Sequence, residues 1–86
     1  MHIRFQKRAI KDFGKLSPSQ QSAFKKRLHI FADEPFHPIL RNHALHGVYE
    51  TCRSINITGD IRAIYDTPET DVARFLRIGT HTQLYS

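Results

Sequence analysis

The residues best equipped for chemistry in this chain lie near its carboxyl end. Arg77 carries a fork of donors that matches phosphate oxygens and stays ionised at every accessible pH. His81 follows four residues later, and imidazole is the side chain best suited to take or give a proton near neutral pH. Tyr85 offers a ring on which a base could stack, a contact worth about 1–3 kcal/mol. Together these three side chains predict a site that grips RNA and cuts it.

Each of the three also has a plainer interpretation. Arg77 could form a structural salt bridge on a strand, and Tyr85 could pin the chain terminus to the core. His81 could be a surface histidine near a flexible tail. Gly79 and Thr80 come directly before His81 and predict a turn that projects its ring beyond the last strand.

A second proton carrier is predicted at His43, within Asn42-His43-Ala44-Leu45-His46-Gly47. Asp60 could orient one of the two imidazole rings and hold its charged form, as carboxylates do beside catalytic histidines. Asp60 also fits an ordinary hairpin turn after Thr58-Gly59, and His43 could be a loop histidine bonded to a backbone carbonyl.

No metal site and no cofactor are predicted. His43 and His46 are three residues apart and His37 is nearby, but no cysteines or paired carboxylates at ligand spacing accompany them. The lone cysteine, Cys52, is expected to behave as a small buried hydrophobe.

These residues need a scaffold, and the first half of the chain predicts a helical hairpin. A short first strand is expected at residues 3–5. A helix follows with apolar residues at helical spacing, and a second helix begins at the capping box Ser17-Pro18-Ser19-Gln20. Pro35 and Pro38 end that helix. The apolar positions of the two helices are Ala9, Ile10, Phe13, Leu16, Phe24, Leu28 and Phe31.

The second half predicts a three-stranded antiparallel meander, with strands at residues 48–57, 61–65 and 72–78. Two helices must cover one face of so small a sheet, because its apolar side would otherwise face water. The predicted fold class is α+β in the order β-α-α-β-β-β. The other sheet face is expected to be free as a working surface.

Length and charge limit the possible classes. A chain of 86 residues predicts one domain, spanning 1–86, with one small core. Thirteen Lys and Arg residues against eight Asp and Glu give a net charge of +5 and a pI near 9.8, which favours polyanionic partners or a merely solvated basic surface. The polar amino terminus does not look like a signal peptide, and no stretch is long enough to span a membrane, so a cytoplasmic location is expected.

Three segments resemble the RelE/ParE toxin superfamily, and most closely its YafQ-type ribonucleases. The YafQ-type pattern reads roughly D-H-P-L-x-G, then a polar strand ending in histidine, then x-x-D-W with an apolar run to tyrosine, and finally R-x-G-T-H-x-x-L-F/Y. The first and last parts agree well with this chain. The matching segments are residues 42–47, 58–65 and 77–85.

The resemblance implies a toxin that cuts messenger RNA in the ribosomal A site without a metal. In that reaction the 2′-hydroxyl attacks the adjacent phosphate and leaves a cyclic phosphate and a free 5′-hydroxyl. The resemblance places the general acid or base at His81 and the motif histidine at His43. Asp60 and Arg77 complete the predicted catalytic set through the chemistry of their side chains. The resemblance also implies an antitoxin partner that covers the site. A heterotetramer of toxin and antitoxin is compatible with the resemblance.

The middle part departs from the pattern at two positions. Asn56 stands where a histidine is expected, and it can hydrogen-bond a phosphate or ribose of the RNA but cannot carry a proton. Ile61 replaces the aromatic residue after the aspartate and removes an expected stacking surface. Two alternatives therefore stay open: a ParE-like toxin that inhibits DNA gyrase, and a catalytically degenerate module that binds RNA or an antitoxin.

Overall fold

The computed structural model describes residues 1–85, so Ser86, the last residue of the predicted domain, lies outside the described residues. Their architecture is α+β, as the sequence predicted: helices pack on one mixed sheet of five strands. The elements in chain order are β1 (His2–Phe5), α1 (Lys7–Gly14), α2 (Pro18–Asp33), β2 (His43–Ala44), β3 (Arg53–Asn56), β4 (Ile61–Glu69), β5 (Val72–Thr80) and α3 (His81–Tyr85).

The sheet has the strand order β1-β5-β4-β3-β2. β3, β4 and β5 form the expected antiparallel meander, and the two-residue strand β2 extends it antiparallel to β3. β1 pairs with β5 in parallel, so the sheet is mixed and not wholly antiparallel. The connection between these two parallel strands contains the helical hairpin and the strands β2, β3 and β4.

Element boundaries differ from prediction in the second half. The strand expected at 48–57 begins only at Arg53, because Gly47–Tyr49 form a short 3-10 turn and Thr51 has a φ of 72°. β4 continues through Pro68 to Glu69, so the following turn is tighter than expected and places Asp71 at a φ of 62°. β5 runs to Thr80, and the segment expected to be a terminal tail forms α3.

The main core lies between the sheet and the helical hairpin. Aromatic rings dominate it: Phe31 packs edge-on against Tyr65 and Phe75, with centroid distances of 4.9 and 5.4 Å. The capping box at the start of α2 forms as predicted, with Ser17 and Gln20 exchanging side-chain-to-backbone bonds. α1 departs from the simple apolar pattern, since Ile10 is 60% exposed whereas Asp12 is 7% exposed.

The opposite face of the sheet is only partly free. α3 packs there through Leu84, which contacts a second small cluster containing Cys52 and Ile64. Tyr49 fixes this arrangement, because its hydroxyl donates to the Leu84 carbonyl at 2.7 Å. The face predicted as an open working surface is therefore a hollow bounded by α3 and the β2–β3 connection.

Candidate functional site

His43 and His81 line the same hollow on this second face of the sheet, although 38 positions separate them in the chain. We call it the histidine hollow; its volume is about 120 Å³. The structure thus brings together three of the predicted site residues, the two histidines and Tyr85. The lining residues are His43, Leu45, Ser54, Arg62, Ile64, His81, Leu84 and Tyr85.

The ring of His43 is held by the backbone just before it. Its Nδ1 lies 2.9 Å from the carbonyl oxygen of Arg41, whose backbone is in the left-handed region with a φ of 48°. A carbonyl oxygen can only accept, so Nδ1 carries a proton. In the neutral ring Nε2 then keeps its lone pair, which is the arrangement a general base needs.

His81 is positioned by the cap of α3. The Thr80 amide donates to Gln83 Oε1 at 2.8 Å, and the Gln83 amide donates to Thr80 Oγ1 at 3.2 Å. This reciprocal capping box starts the helix at His81. Gly79 allows it, because a Cβ at that position would lie 2.8 Å from Gln83 Oε1.

Two tyrosines support the His81 ring. Tyr85 lies one helical turn after His81, and the two ring centroids are 4.6 Å apart at an interplanar angle of 30°. Tyr49 meets Tyr85 edge-on at 5.2 Å. Tyr85 remains 42% exposed, so part of its ring faces solvent and its predicted stacking on a base stays a prediction.

Arg62 is a lining residue that the sequence reasoning did not single out. It lies on β4 between the buried residues Ile61 and Ala63, so strand alternation alone places it on the second face. Its Nη1 donates to the carbonyls of Thr58 and Gly59 at 3.3 and 3.0 Å. The hollow therefore has an arginine among its lining residues, and the β3–β4 turn holds the guanidinium of that arginine.

Asn56 and Asp60 lie outside the residues that line the histidine hollow. Asn56 pairs with Arg62 across β3 and β4, so it is next to the hollow on the same face. Asp60 is exposed in the β3–β4 turn, where its amide donates to Thr58 Oγ1 at 3.2 Å. Among residues 1–85 the Asp60 carboxylate forms no hydrogen bond or ion pair, so its place fits the turn interpretation.

Arg77 also lies outside the histidine hollow. An extra residue in β5, Leu76, shifts the pairing with β4, and the Arg77 side chain meets α1 instead. Its Nε lies 2.8 Å from Asp12 Oδ2. This hydrogen bond raises the pKa of Arg77; burial opposes the rise, and the charge of Asp12 and the nearby Tyr49 add smaller contributions.

Arg77 and Asp12 line a neighbouring hollow of about 320 Å³, which we call the Asp12 hollow. Thr80 and Gln83 line it too, so the cap of α3 separates it from the histidine hollow. Within residues 1–85 no three His, Cys, Asp or Glu side chains come together as a metal-binding group. None of the helices described is long and apolar enough to cross a membrane.

A comparison with protein-family models decides the family. The model for "Bacterial toxin of type II toxin-antitoxin system, YafQ" matches residues 1–86. The chain belongs to the YafQ family. It is therefore a toxin of the type II toxin–antitoxin class. No curated protein matches the sequence.

Solved structures of this family and its relatives share the fold. YafQ from E. coli strain BL21(DE3) is 21% identical, with a TM-score of 0.80 over 98% of this chain and 97% of that one. YafQ in the E. coli DinJ–YafQ complex is 22% identical, with a TM-score of 0.71 over 98% and 96%. A metal-bound toxin from Helicobacter pylori is 21% identical, with a TM-score of 0.76 over 99% of each chain.

The two departures from the YafQ pattern, Asn56 and Ile61, lie on different faces of the sheet. Ile61 is 2% exposed and packs in the main core under the helices. Ile61 also lines the Asp12 hollow but not the histidine hollow, so the expected loss of a stacking surface at this position stays a prediction. Asn56 does stand on the face of the hollow, so its effect on chemistry remains a prediction.

Proposed function

We propose that this YafQ-family toxin is an endoribonuclease that cuts messenger RNA on the ribosome by attack of a 2′-hydroxyl on the adjacent phosphate. One observation carries the proposal: two histidines from distant parts of the chain line one hollow together with an arginine, Arg62. Internal transfer at a phosphodiester needs a base, an acid and positive charge near the phosphate, and this hollow offers all three.

His43 acts as the general base in this proposal. With Nδ1 donating to the Arg41 carbonyl, Nε2 takes the proton of the 2′-hydroxyl. The 2′-oxygen forms a bond to phosphorus, and the bond from phosphorus to the 5′-oxygen breaks. The products are a 2′,3′-cyclic phosphate and a free 5′-hydroxyl.

His81 acts as the general acid and gives its proton to the leaving 5′-oxygen. Tyr85 keeps the ring of His81 in place and offers its exposed part to a base of the RNA. The two histidines exchange protonation states during the reaction, and water restores both in the next cycle. The proton transfers and the charge of the arginines account for every step without a metal or cofactor.

Positive charge comes from Arg62 in the wall of the hollow and from Arg77 beside it. Asp12 accepts a hydrogen bond from Nε of Arg77. The terminal Nη groups of Arg77 then bind the phosphate of the RNA strand where the strand crosses the cap of α3. Asn56, next to Arg62, hydrogen-bonds the ribose or phosphate. Asp60 lies in the neighbouring turn. There its carboxylate would make the electrostatic potential around the bound RNA less positive without contacting the two histidine rings.

The antitoxin partner and the cytoplasmic location follow from the family and from the proposed substrate. E. coli YafQ has been solved in complex with the antitoxin DinJ. A cognate antitoxin would cover the hollow of this chain, in a heterotetramer or a simpler complex. Ribosome-bound messenger RNA places the activity in the cytoplasm.

A primer-extension map of messages after induction tests the proposal. We expect new 5′ ends within reading frames, and the upstream fragments should end in a 2′,3′-cyclic phosphate. His43→Gln and His81→Gln should each abolish cutting. His29→Gln, at an exposed position of α2, is the matched control and should cut normally.

Other results would overturn the proposal. Damaged DNA with intact messages would indicate a gyrase inhibitor. Ribosome binding with intact messages at every pH tried would indicate a binding module without catalysis. A free 3′-hydroxyl upstream of the cut with a 5′-phosphate downstream of it would exclude attack by the 2′-hydroxyl.

A further inference from the structure

The Asp12 hollow carries more positive charge than the proposed cleavage uses, because only Arg77 among its basic residues takes part there. Three basic residues line it (Arg8, Lys15 and Arg77) against one carboxylate, Asp12. Asp12 is 7% exposed and makes three contacts: with Arg77, with Arg8 at 3.5 Å, and with the Ile78 amide at 2.9 Å. Its charge is therefore neutralised inside the protein, and the hollow presents its cations outward.

Two of these residues, Arg8 and Lys15, have terminal cationic groups without a partner among residues 1–85. Arg8 approaches Asp12 most closely through Nε, so the terminal Nη donors of Arg8 are left unbound. The side chain of Arg8 is 58% exposed. The Lys15 ammonium, just after the end of α1, forms no ion pair or hydrogen bond with a described residue. Solvated, unpaired cations around a concave surface are what a phosphate group can use.

The hollow also has a fixed relation to the histidine hollow. Thr80 and Gln83 line the Asp12 hollow, whereas His81, Leu84 and Tyr85 line the histidine hollow. The two hollows thus share the short cap of α3 as their common wall. A single strand that lies in one and crosses this cap enters the other.

We infer that the Asp12 hollow is a subsite for the backbone of single-stranded RNA, in which Arg8 and Lys15 bind a phosphate next to the one that is cut. The inference rests on the proposed function for the choice of RNA. RNA is favoured over an acidic peptide because every nucleotide brings a phosphate, so a strand that leaves the histidine hollow across the cap of α3 brings another one to this subsite. The volume of about 320 Å³ accommodates a phosphate with part of its sugar.

The test measures binding without cleavage. Its probe is a single-stranded RNA with 2′-O-methyl groups at every position, which lacks the nucleophile, and affinity is followed by fluorescence anisotropy over a range of salt concentrations. For single strands each phosphate contact contributes about 0.7 to the slope of log K against log salt. We expect Arg8→Gln and Lys15→Gln each to reduce the slope by about that amount, and the double variant by about twice as much.

Lys26→Gln is the matched control, because it removes the same charge from an exposed position of α2 outside the hollow. An unchanged slope in the double variant, or an equal reduction in the control, would overturn the subsite. The same would follow if both variants bound RNA normally but lost binding of polyglutamate, since the hollow would then serve an acidic peptide.

The binding test of the subsite and the cleavage test of the proposed function can fail independently. If the wild type cuts no message but the two variants still reduce the slope, the subsite stands and the nuclease does not. If the wild type cuts and the slopes are unchanged, the nuclease stands and the subsite does not.

Discussion

The Nε of Arg77 lies 2.8 Å from the carboxylate of Asp12, and this contact joins the last strand to the first helix across 65 positions of the chain. Asp12 is 7% exposed and Arg77 19%. The same carboxylate oxygen accepts from the amide of Ile78 at 2.9 Å. The residue predicted as a phosphate clamp is thus also a structural partner of a buried carboxylate.

Removing one partner of this pair is expected to destabilise the fold. Asp12→Asn leaves two guanidinium groups without their counter-charge, and Arg77→Gln removes the closer cation from a buried carboxylate. Breaking such a pair costs about 3 kcal/mol of the free energy of unfolding. Urea unfolding should show this loss for Asp12→Asn and a smaller one for Arg77→Gln, because Arg8 still lies near Asp12.

A double-mutant cycle separates this pairing from other effects. The double variant should cost clearly less than the sum of the single variants, because each removes the same interaction. Asp33→Asn, at the exposed end of α2, is the control and should change stability by no more than about 0.5 kcal/mol. Additive costs would mean that the contact contributes little. Any activity assay of an Arg77 variant must therefore report the folded fraction.

The cap of α3 gives a second prediction. Thr80→Ala removes the hydroxyl that accepts from the Gln83 amide and should lower the free energy of unfolding by about 1 kcal/mol. Because His81 is the first residue of this helix, RNA cleavage should fall by more than the unfolded fraction explains. Thr80→Ser keeps the hydroxyl and should retain both stability and cleavage. If Thr80→Ala cuts RNA as fast as Thr80→Ser does, the cap does not position His81.

The capping box at Thr80 also shows where prediction from the sequence stops. The same pattern at Ser17 correctly predicts the start of α2, whereas the segment from Gly79 to His81 favours a turn and the structure has a helix there. The signal is present in Thr80-His81-Thr82-Gln83, but a five-residue helix lacks the apolar repeat that supports a longer one. The order of the meander strands follows from alternation, and the apolar face of α2 with Phe24 and Phe31 follows from helical spacing.

Other features depend on contacts that no local pattern encodes. β2 is two residues long and exists only because β3 pairs with it. The ion pair of Arg77 depends on the bulge at Leu76 and on a helix near the other end of the chain. Asp12 sits where an apolar residue would satisfy the helical pattern, and only the packed fold gives it two arginines.

Cys52 gives a prediction about pH. Burial raises the pKa of its thiol above the ordinary value of 9.0; Asp66 adds to the rise and Arg74 opposes it. The unfolded chain therefore releases this proton at a lower pH than the folded chain does. The contribution to stability is complete below the unfolded pKa and is lost as pH rises through the folded pKa. Urea midpoints should fall more steeply above about pH 9 for the wild type than for Cys52→Ala. Parallel curves for the two proteins would contradict this assignment.

Asn42 holds the segment that carries His43, and its loss should affect both stability and activity. Its Nδ2 donates to the Pro35 carbonyl at 2.9 Å and to the Tyr65 hydroxyl at 2.7 Å, and its Oδ1 accepts from Arg53 Nε at 2.7 Å. Asn42→Ala leaves these partners unsatisfied in a partly buried place and should cost about 2 kcal/mol of the free energy of unfolding.

His43 is the next residue, so RNA cleavage by the folded fraction of Asn42→Ala should also slow. Tyr65→Phe is the matched comparison: it removes one of the three bonds, keeps the buried ring, and should cost about 1 kcal/mol with little change in cleavage. Asn42→Asp should not rescue the alanine variant, because a carboxylate replaces the donor to the Pro35 carbonyl with a second acceptor. If Asn42→Ala unfolds at the wild-type urea concentration and cuts at the wild-type rate, the position of His43 is set by the Arg41 carbonyl alone.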